Sequence, residues 1–288
     1  MVRSMVVLRS HHVYMSWRRT MAQYLHENET CCTATKEDTP RVSSCCKPDR
    51  HETLPEDAAS VREVVREKYS QIAAGDISCG CSMIGDASDE VDGYVPEADL
   101  SLGCGLPVEH AGLLPGQRVL DLGSGAGLDA FVARRIVGDT GEVIGLDFSG
   151  PMVEKARRNA RQLGYKNVRF VLGDIEQIPL SNASVDVIVS NCVLNLVPAK
   201  HAAFAEAYRV LRHGGRFAVS DVVLSGPLPD EERQCAESYV GCIAGAMERE
   251  AYLRLIRGAG FEAVQVVKEW RIPDAPGALS ITVCGTKP

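Results

Sequence analysis

Apolar and polar positions first settle into a regular rhythm near Gln117. Arg118–Leu122 is a short apolar run that ends in a glycine-rich turn, Gly123-Ser124-Gly125-Ala126-Gly127. Leu128–Val137 follows with helical spacing. Glu142–Asp147 reads as a second strand, 151–163 as a helix with Pro151 in its first turn, and Val168–Leu172 as a third strand. A nearly continuous apolar run over 185–190 is a fourth strand, of the kind covered on both faces. A helix over 202–211 stops at Gly214-Gly215, and 216–222 is a fifth strand. Helices over 231–247 and 249–259 come next, then strands over 263–270 and 279–285 with no helix between them. This alternation predicts an α/β fold: a mostly parallel seven-stranded sheet, helices on both faces, and an antiparallel strand at the edge. Upstream, Val61, Val64, Val65 and Tyr69 share helical spacing behind Asp57 as a cap, and the Gly-, Ser-, Asp- and Cys-rich stretch 76–105 reads as a structured loop.

Residues 1–55 lack this rhythm and are read as a flexible N-terminal segment, leaving 56–288 as the domain. The first 26 residues carry Arg3, Arg9, Arg18 and Arg19 and no acid, as a mitochondrial targeting segment does. Met5, Met15 and Met21 within it allow a simpler reading, an over-extended start, which we favour. The net charge is −7, and without that segment 27 basic residues face 38 acidic ones. An acidic domain argues against a nucleic-acid partner. No apolar run approaches the roughly 20 residues of a membrane span. Eleven cysteines are an odd count in a chain too large to need disulfide staples, which points to thiol or metal chemistry in the cytoplasm. Cys235 and Cys284 are read as small buried hydrophobes.

The glycine turn lies between a strand and a helix, where glycines let a ligand approach the backbone. Its spacing is G-x-G-x-G, which departs from the dinucleotide fingerprint. Asp121, two residues before the turn, suits an ammonium group better than a pyrophosphate. Asp147 ends the second strand, where an acid accepts ribose hydroxyls. Gly173-Asp174-Ile175 follows the third. Three motifs at three successive strand ends, in this order, resemble the class I S-adenosylmethionine (SAM)-dependent methyltransferases, a Rossmann-like fold. The resemblance implies that Asp121 and Gly123 hold the methionine end, and that Ser124, Gly125 and Gly127 of the same turn also bind the cofactor. Asp147 would take the ribose, and Asp174 and Ile175 the adenine, with Phe148 and Met152 packing against it.

The fourth strand delivers Ser190-Asn191-Cys192-Val193-Leu194-Asn195-Leu196 to the place where the methyl acceptor belongs, with no obvious acid or histidine to act as a base. Cys104, in Gly103-Cys104-Gly105-Leu106-Pro107, and Cys242, in Cys242-Ile243-Ala244-Gly245-Ala246, are further thiols able to converge on Cys192. Three thiolates suit a soft ion, whereas structural zinc prefers a closed tetrahedron. These segments resemble arsenite methyltransferases over about residues 58–285. That resemblance implies arsenic(III) bound by Cys104, Cys192 and Cys242, a redox cysteine upstream, and thioredoxin or glutathione as reductant. Cys79 and Cys81 both lie in the upstream stretch and either fits that role, with Cys79 preferred. Leu100-Ser101-Leu102 replaces an aromatic pair of many eukaryotic members, and the chain stops at Pro288, so it resembles the shorter bacterial type. The pairs Cys31-Cys32 and Cys45-Cys46 either pre-bind arsenic or belong to an unselected tail. Two other functions compete: methylation of a small organic acceptor such as a quinone precursor, and metal sequestration by a thiol-rich protein.

Overall fold

A computed structural model describes residues 53–75, 91–272 and 275–288. Cys31, Cys32, Cys45, Cys46, Cys79 and Cys81 therefore lie outside the described residues, as does nearly all of the N-terminal segment read as flexible.

Eight strands form one sheet: β1 Arg118–Leu122, β2 Glu142–Asp147, β3 Val168–Leu172, β4 Val185–Asn191, β5 Leu211–Leu224, the two-residue β6 Met247–Glu248, β7 Glu262–Arg271 and β8 Ala278–Thr286. Their order is β3-β2-β1-β4-β5-β8-β7, with β6 also paired to β5. The pairs from β3 through β5 are parallel, whereas β8 runs antiparallel between β5 and β7. The apolar runs of the central strands are explained by burial on both sides. Leu120, Ile144 and Ile188 enter one core cluster, while their neighbours Val119, Val143 and Val187 enter another. The edge strand β7 instead alternates between half-buried and exposed positions.

The helices are α1 Ala58–Ala74, α2 Pro107–His110, α3 Leu128–Val137, α4 Gly150–Gln162, α5 Lys200–Val210, α6 Asp230–Arg233, α7 Ala236–Val240 and α8 Arg249–Gly258. Asp57 caps α1 as expected, accepting the Ser60 N–H at 2.9 Å. The helix expected over 231–247 does not form in one piece. It breaks into α6, α7 and a turn, because Gly241 follows α7 and Cys242 takes a left-handed backbone at φ 65°. A Cβ at Gly245 would lie 2.2 Å from the Asn195 carbonyl oxygen, so this turn packs its backbone directly on the segment after β4. The interruption gives Cys242 its place.

Candidate functional site

Strand order reverses between β1 and β4, and a cleft opens at the carboxyl ends of these strands, the usual ligand position in open α/β sheets. It contains about 1210 Å³ of atom-free space continuous with solvent. Asp121, Gly123, Ser124, Gly125, Asp147, Phe148, Asp174, Ile175 and Cys192 all line it. Gly127 does not; it caps α3 from behind with φ 103°. Met152 is fully buried beneath α1, clustered with Ile72 and Ala73, and is likewise away from the cleft wall.

The glycine turn is bound to β2 through Gly123 N–H and Ser124 N–H, which share the Leu146 carbonyl at 2.7 and 3.0 Å. At Gly123 a Cβ would lie 2.2 Å from Val193 Cγ2, so the turn and the Cys192 segment are in close contact. Asp147 accepts Gly125 N–H at 2.9 Å and Ser149 N–H at 2.8 Å. Burial pushes the Asp147 carboxyl upward against these hydrogen bonds. Asp121 is raised well above the carboxylate range, first by burial and then by Asp129 and Asp147. Its Oδ2 has no partner. Asp174 accepts Glu176 N–H at 2.8 Å and lies 3.7 Å from Arg62 of α1, which also pairs with Glu176.

The three cysteines meet. Cys104, Cys192 and Cys242 belong to one buried cluster, none in a disulfide. Cys104 and Cys242 are both close enough to act electrostatically on the Cys192 thiol. Cys192 and Cys242 both occupy the left-handed backbone region, at φ 55° and 65°, a strained conformation of the kind concentrated at functional sites. Cys242 Sγ donates to the Cys192 carbonyl at 3.1 Å. Among the described residues no set of three His, Cys, Asp or Glu side chains has the geometry of a formed metal site. The thiols are neighbours, then, with Cys242 turned onto a backbone carbonyl. Burial pushes Cys104 up and Cys192 well up, so both favour the neutral thiol.

A family model described as a methyltransferase domain matches residues 113–260. An arsenite methyltransferase of Halobacterium salinarum is 42% identical over 232 residues, covering 73% of this chain and 59% of the relative. Another, from Aquipseudomonas alcaligenes, is 39% identical over 185 residues, 62% of this chain and 53% of the relative. The solved structure of an arsenic(III) S-adenosylmethionine methyltransferase from Chlamydomonas reinhardtii superposes with a TM-score of 0.57 at 32% identity, covering 73% of this chain and 72% of that one.

The chain belongs to the arsenite methyltransferase family. It spans a little over half the length of the two curated relatives. Its fold is that of the class I SAM-dependent methyltransferases, as the order of motifs implied. Among the described residues no helix is long and apolar enough to cross a membrane.

Several residues of this family member's site escape a reading of the sequence. Asp129, in the first turn of α3, lines the cleft and receives Asn191 Nδ2 at 3.0 Å; burial raises it to about 6. Asp221 of β5 is fully buried and raised to about 7, again by burial first. Lys200, held by the Asn195 and Val197 carbonyls at 3.1 and 3.0 Å, provides a nearby positive charge. A carboxylate inside the apolar run Phe217-Ala218-Val219-Ser220-Asp221-Val222-Val223 was the available signal. Cys235 is buried, as read; Cys284 is half-buried and donates to the His110 carbonyl at 3.4 Å. Tyr69 both lines the cleft and anchors α1 through the Val240 carbonyl at 3.3 Å.

Proposed function

We propose that the protein transfers methyl groups from S-adenosylmethionine to thiolate-bound trivalent arsenic, releasing methylated arsenicals and S-adenosylhomocysteine. The observation that carries this reading is the convergence of Cys104, Cys192 and Cys242 beside a cleft lined by Asp121, the glycine turn and Asp147.

The cleft residues fit the donor. Asp121 Oδ2 and Ser124 Oγ are buried without partners, as groups awaiting a polar ligand are. Asp147 retains acceptor capacity beyond its two backbone hydrogen bonds, enough for ribose hydroxyls. Asp174 offers a carboxylate, and Phe148 and Ile175 apolar wall, for adenine. When bound, the donor supplies a sulfonium methyl group.

Three sulfurs suit a thiophilic ion. Arsenite arrives as a trihydroxide. Each neutral thiol forms a bond to arsenic, and its proton leaves with one hydroxide as water. The exchange releases no net proton, so the burial that disfavours free thiolates at Cys104 and Cys192 does not oppose it. Cys242 joins by rotating its thiol away from the Cys192 carbonyl. Arsenic bonded to three sulfurs is pyramidal and keeps a lone pair, which is the nucleophile. The protein's contribution is orientation, for which effective molarities reach roughly 10⁵–10⁸ M. Each transfer removes two electrons from arsenic; a pair of thiols, with Cys79 or Cys81 as the relay, returns them by closing a disulfide, which thioredoxin or two glutathione molecules then reduce. The thiol-rich chain fits the reducing cytoplasm.

The test is speciation of arsenic by mass spectrometry after incubation with arsenite, SAM and glutathione. Methylated species are expected from the wild type and none from Cys192→Ser, which should still bind SAM. Full activity in Cys192→Ser overturns the reading.

A further inference from the structure

Asn191 stands between the two halves of the site. Its Nδ2 donates to Asp129 at 3.0 Å and to the Gly105 carbonyl at 2.7 Å, while its Oδ1 accepts the Cys104 N–H at 3.0 Å. It is also the residue before Cys192. Both amide hydrogens are committed, so the side chain has one orientation. Turned over, it would set its oxygen against the Asp129 carboxylate and the Gly105 carbonyl, and its NH₂ against the Cys104 N–H. One side chain thus bonds to the Cys104 loop, adjoins Cys192 in sequence and reaches a carboxylate in the wall of the cleft.

That carboxylate is incompletely satisfied. Asp129 is 8% exposed, and its Oδ1 has no partner. Asp121, 1% exposed, has an unpartnered Oδ2 in the same cleft. Asn191 is neutral and supplies no counter-charge to Asp129. Two buried carboxylates lining one cleft, each with an open oxygen, are costly unless a cation joins them. An ammonium group carries three donors, more than one carboxylate oxygen takes up.

With Asp129 read as one of the donor pocket's contacts to the ammonium end, we propose that Asn191, shared between Asp129 and the Cys104 loop, makes donor binding and occupancy of the thiol site reinforce each other. The proposal rests on the reading of the cleft as a methyl-donor pocket. Filling the donor pocket fixes Asp129, Asp129 fixes the Asn191 amide, and the amide fixes the backbone that presents Cys104. Thermodynamic linkage makes the effect reciprocal: a thiol site closed by arsenic must tighten donor binding by the same factor. Asn191 is a positioning residue, and Asp129 a binding one.

The experiment is isothermal titration of the full chain with two probes. S-adenosylhomocysteine carries the ammonium end; 5′-methylthioadenosine keeps adenine and ribose but lacks it. Asp129→Asn should weaken S-adenosylhomocysteine about tenfold or more and leave 5′-methylthioadenosine unchanged. Equal losses for both probes mean that Asp129 only supports α3, and no loss for either means that it touches nothing on the ligand; each result overturns the assignment. For the coupling, S-adenosylhomocysteine is titrated with and without saturating arsenite. Arsenite should tighten it about fivefold or more in the wild type, at the lower end of typical coupling, and not in Asn191→Ser. Thermal melting checks that the variant is folded, and Asn191→Ala serves as the second variant. Coupling that persists in both variants overturns the role of Asn191. Arsenite binding itself is followed by the ultraviolet absorbance of arsenic–thiolate bonds. If that signal is missing from the wild type, the arsenic reading and the coupling fall together, while the two-probe result on Asp129 still stands or falls alone.

Discussion

Tyr252 donates its phenolic hydrogen to Asp221 Oδ2 across 3.0 Å, and both side chains are fully buried. Asp221 also accepts the Val222 N–H at 3.1 Å and feels the Lys200 charge. These contacts do not offset its desolvation, so its carboxyl is held at about 7 instead of 3.8. Between these values the folded protein keeps a proton that the unfolded chain has released. The contribution to stability is therefore complete at low pH and is lost as pH rises through 7. The difference corresponds to at most on the order of 4 kcal/mol. Urea denaturation from pH 5 to 8 should show declining stability, and Asp221→Asn should flatten the decline. An identical pH profile in the variant would contradict the assignment.

The left-handed backbone at Cys242 predicts an inverted ranking of small substitutions. Cys242→Gly should be more stable than Cys242→Ala by about 1 kcal/mol, because only glycine takes φ 65° without strain. Denaturation midpoints measure the difference. Neither variant should give the arsenic–thiolate absorbance of the wild type.

Gly123 packs against Val193, and an added methyl has no room there. Gly123→Ala should lower S-adenosylhomocysteine affinity at least about tenfold and cost roughly 1–3 kcal/mol of stability, the usual range for overpacking. Adding Val193→Ala should recover part of both losses. A double-mutant cycle with no coupling between the two positions would rule out the contact.

Arg62 links α1 to Glu176 and approaches Asp174, but its side chain is 31% exposed. Partly exposed pairs of this kind contribute about 0–1 kcal/mol. Arg62→Ala should barely change the melting temperature, while amide exchange in α1 quickens because one tie to the cleft is lost. Unchanged exchange would show that the buried face of α1 and its remaining ties, Tyr69 to the Val240 carbonyl among them, hold the helix without Arg62.

The central strands were legible because burial on two faces leaves an unbroken apolar run, as in Val185–Asn191. The donor cleft was legible because its residues follow strand ends in order. The stretch 231–247 was misread as one helix: Tyr239, Val240, Ile243 and Ala244 have helical spacing, and only the backbone approach at Gly245 and the left-handed Cys242 reveal the break. Asn191 and Asp129 could not be recognised as partners, because 62 positions separate them in the chain and their bond exists only once β4 lies beside α3. Cys104 and Cys242 were matched to Cys192 through family resemblance; their meeting is a property of the tertiary fold.

Ser280 of β8 donates to the Cys104 carbonyl at 2.5 Å, and Ser220 of β5 pairs with Thr282 at 2.8 Å. The strand that braces the Cys104 loop is thus made 176 positions after the loop itself. During vectorial synthesis, in which early segments begin to fold before late ones emerge, Cys104, Cys192 and Cys242 are all outside the ribosome before their brace exists. A nascent chain halted before β8 would lack this brace, so the Cys104 loop gains its support only after all three thiols have emerged.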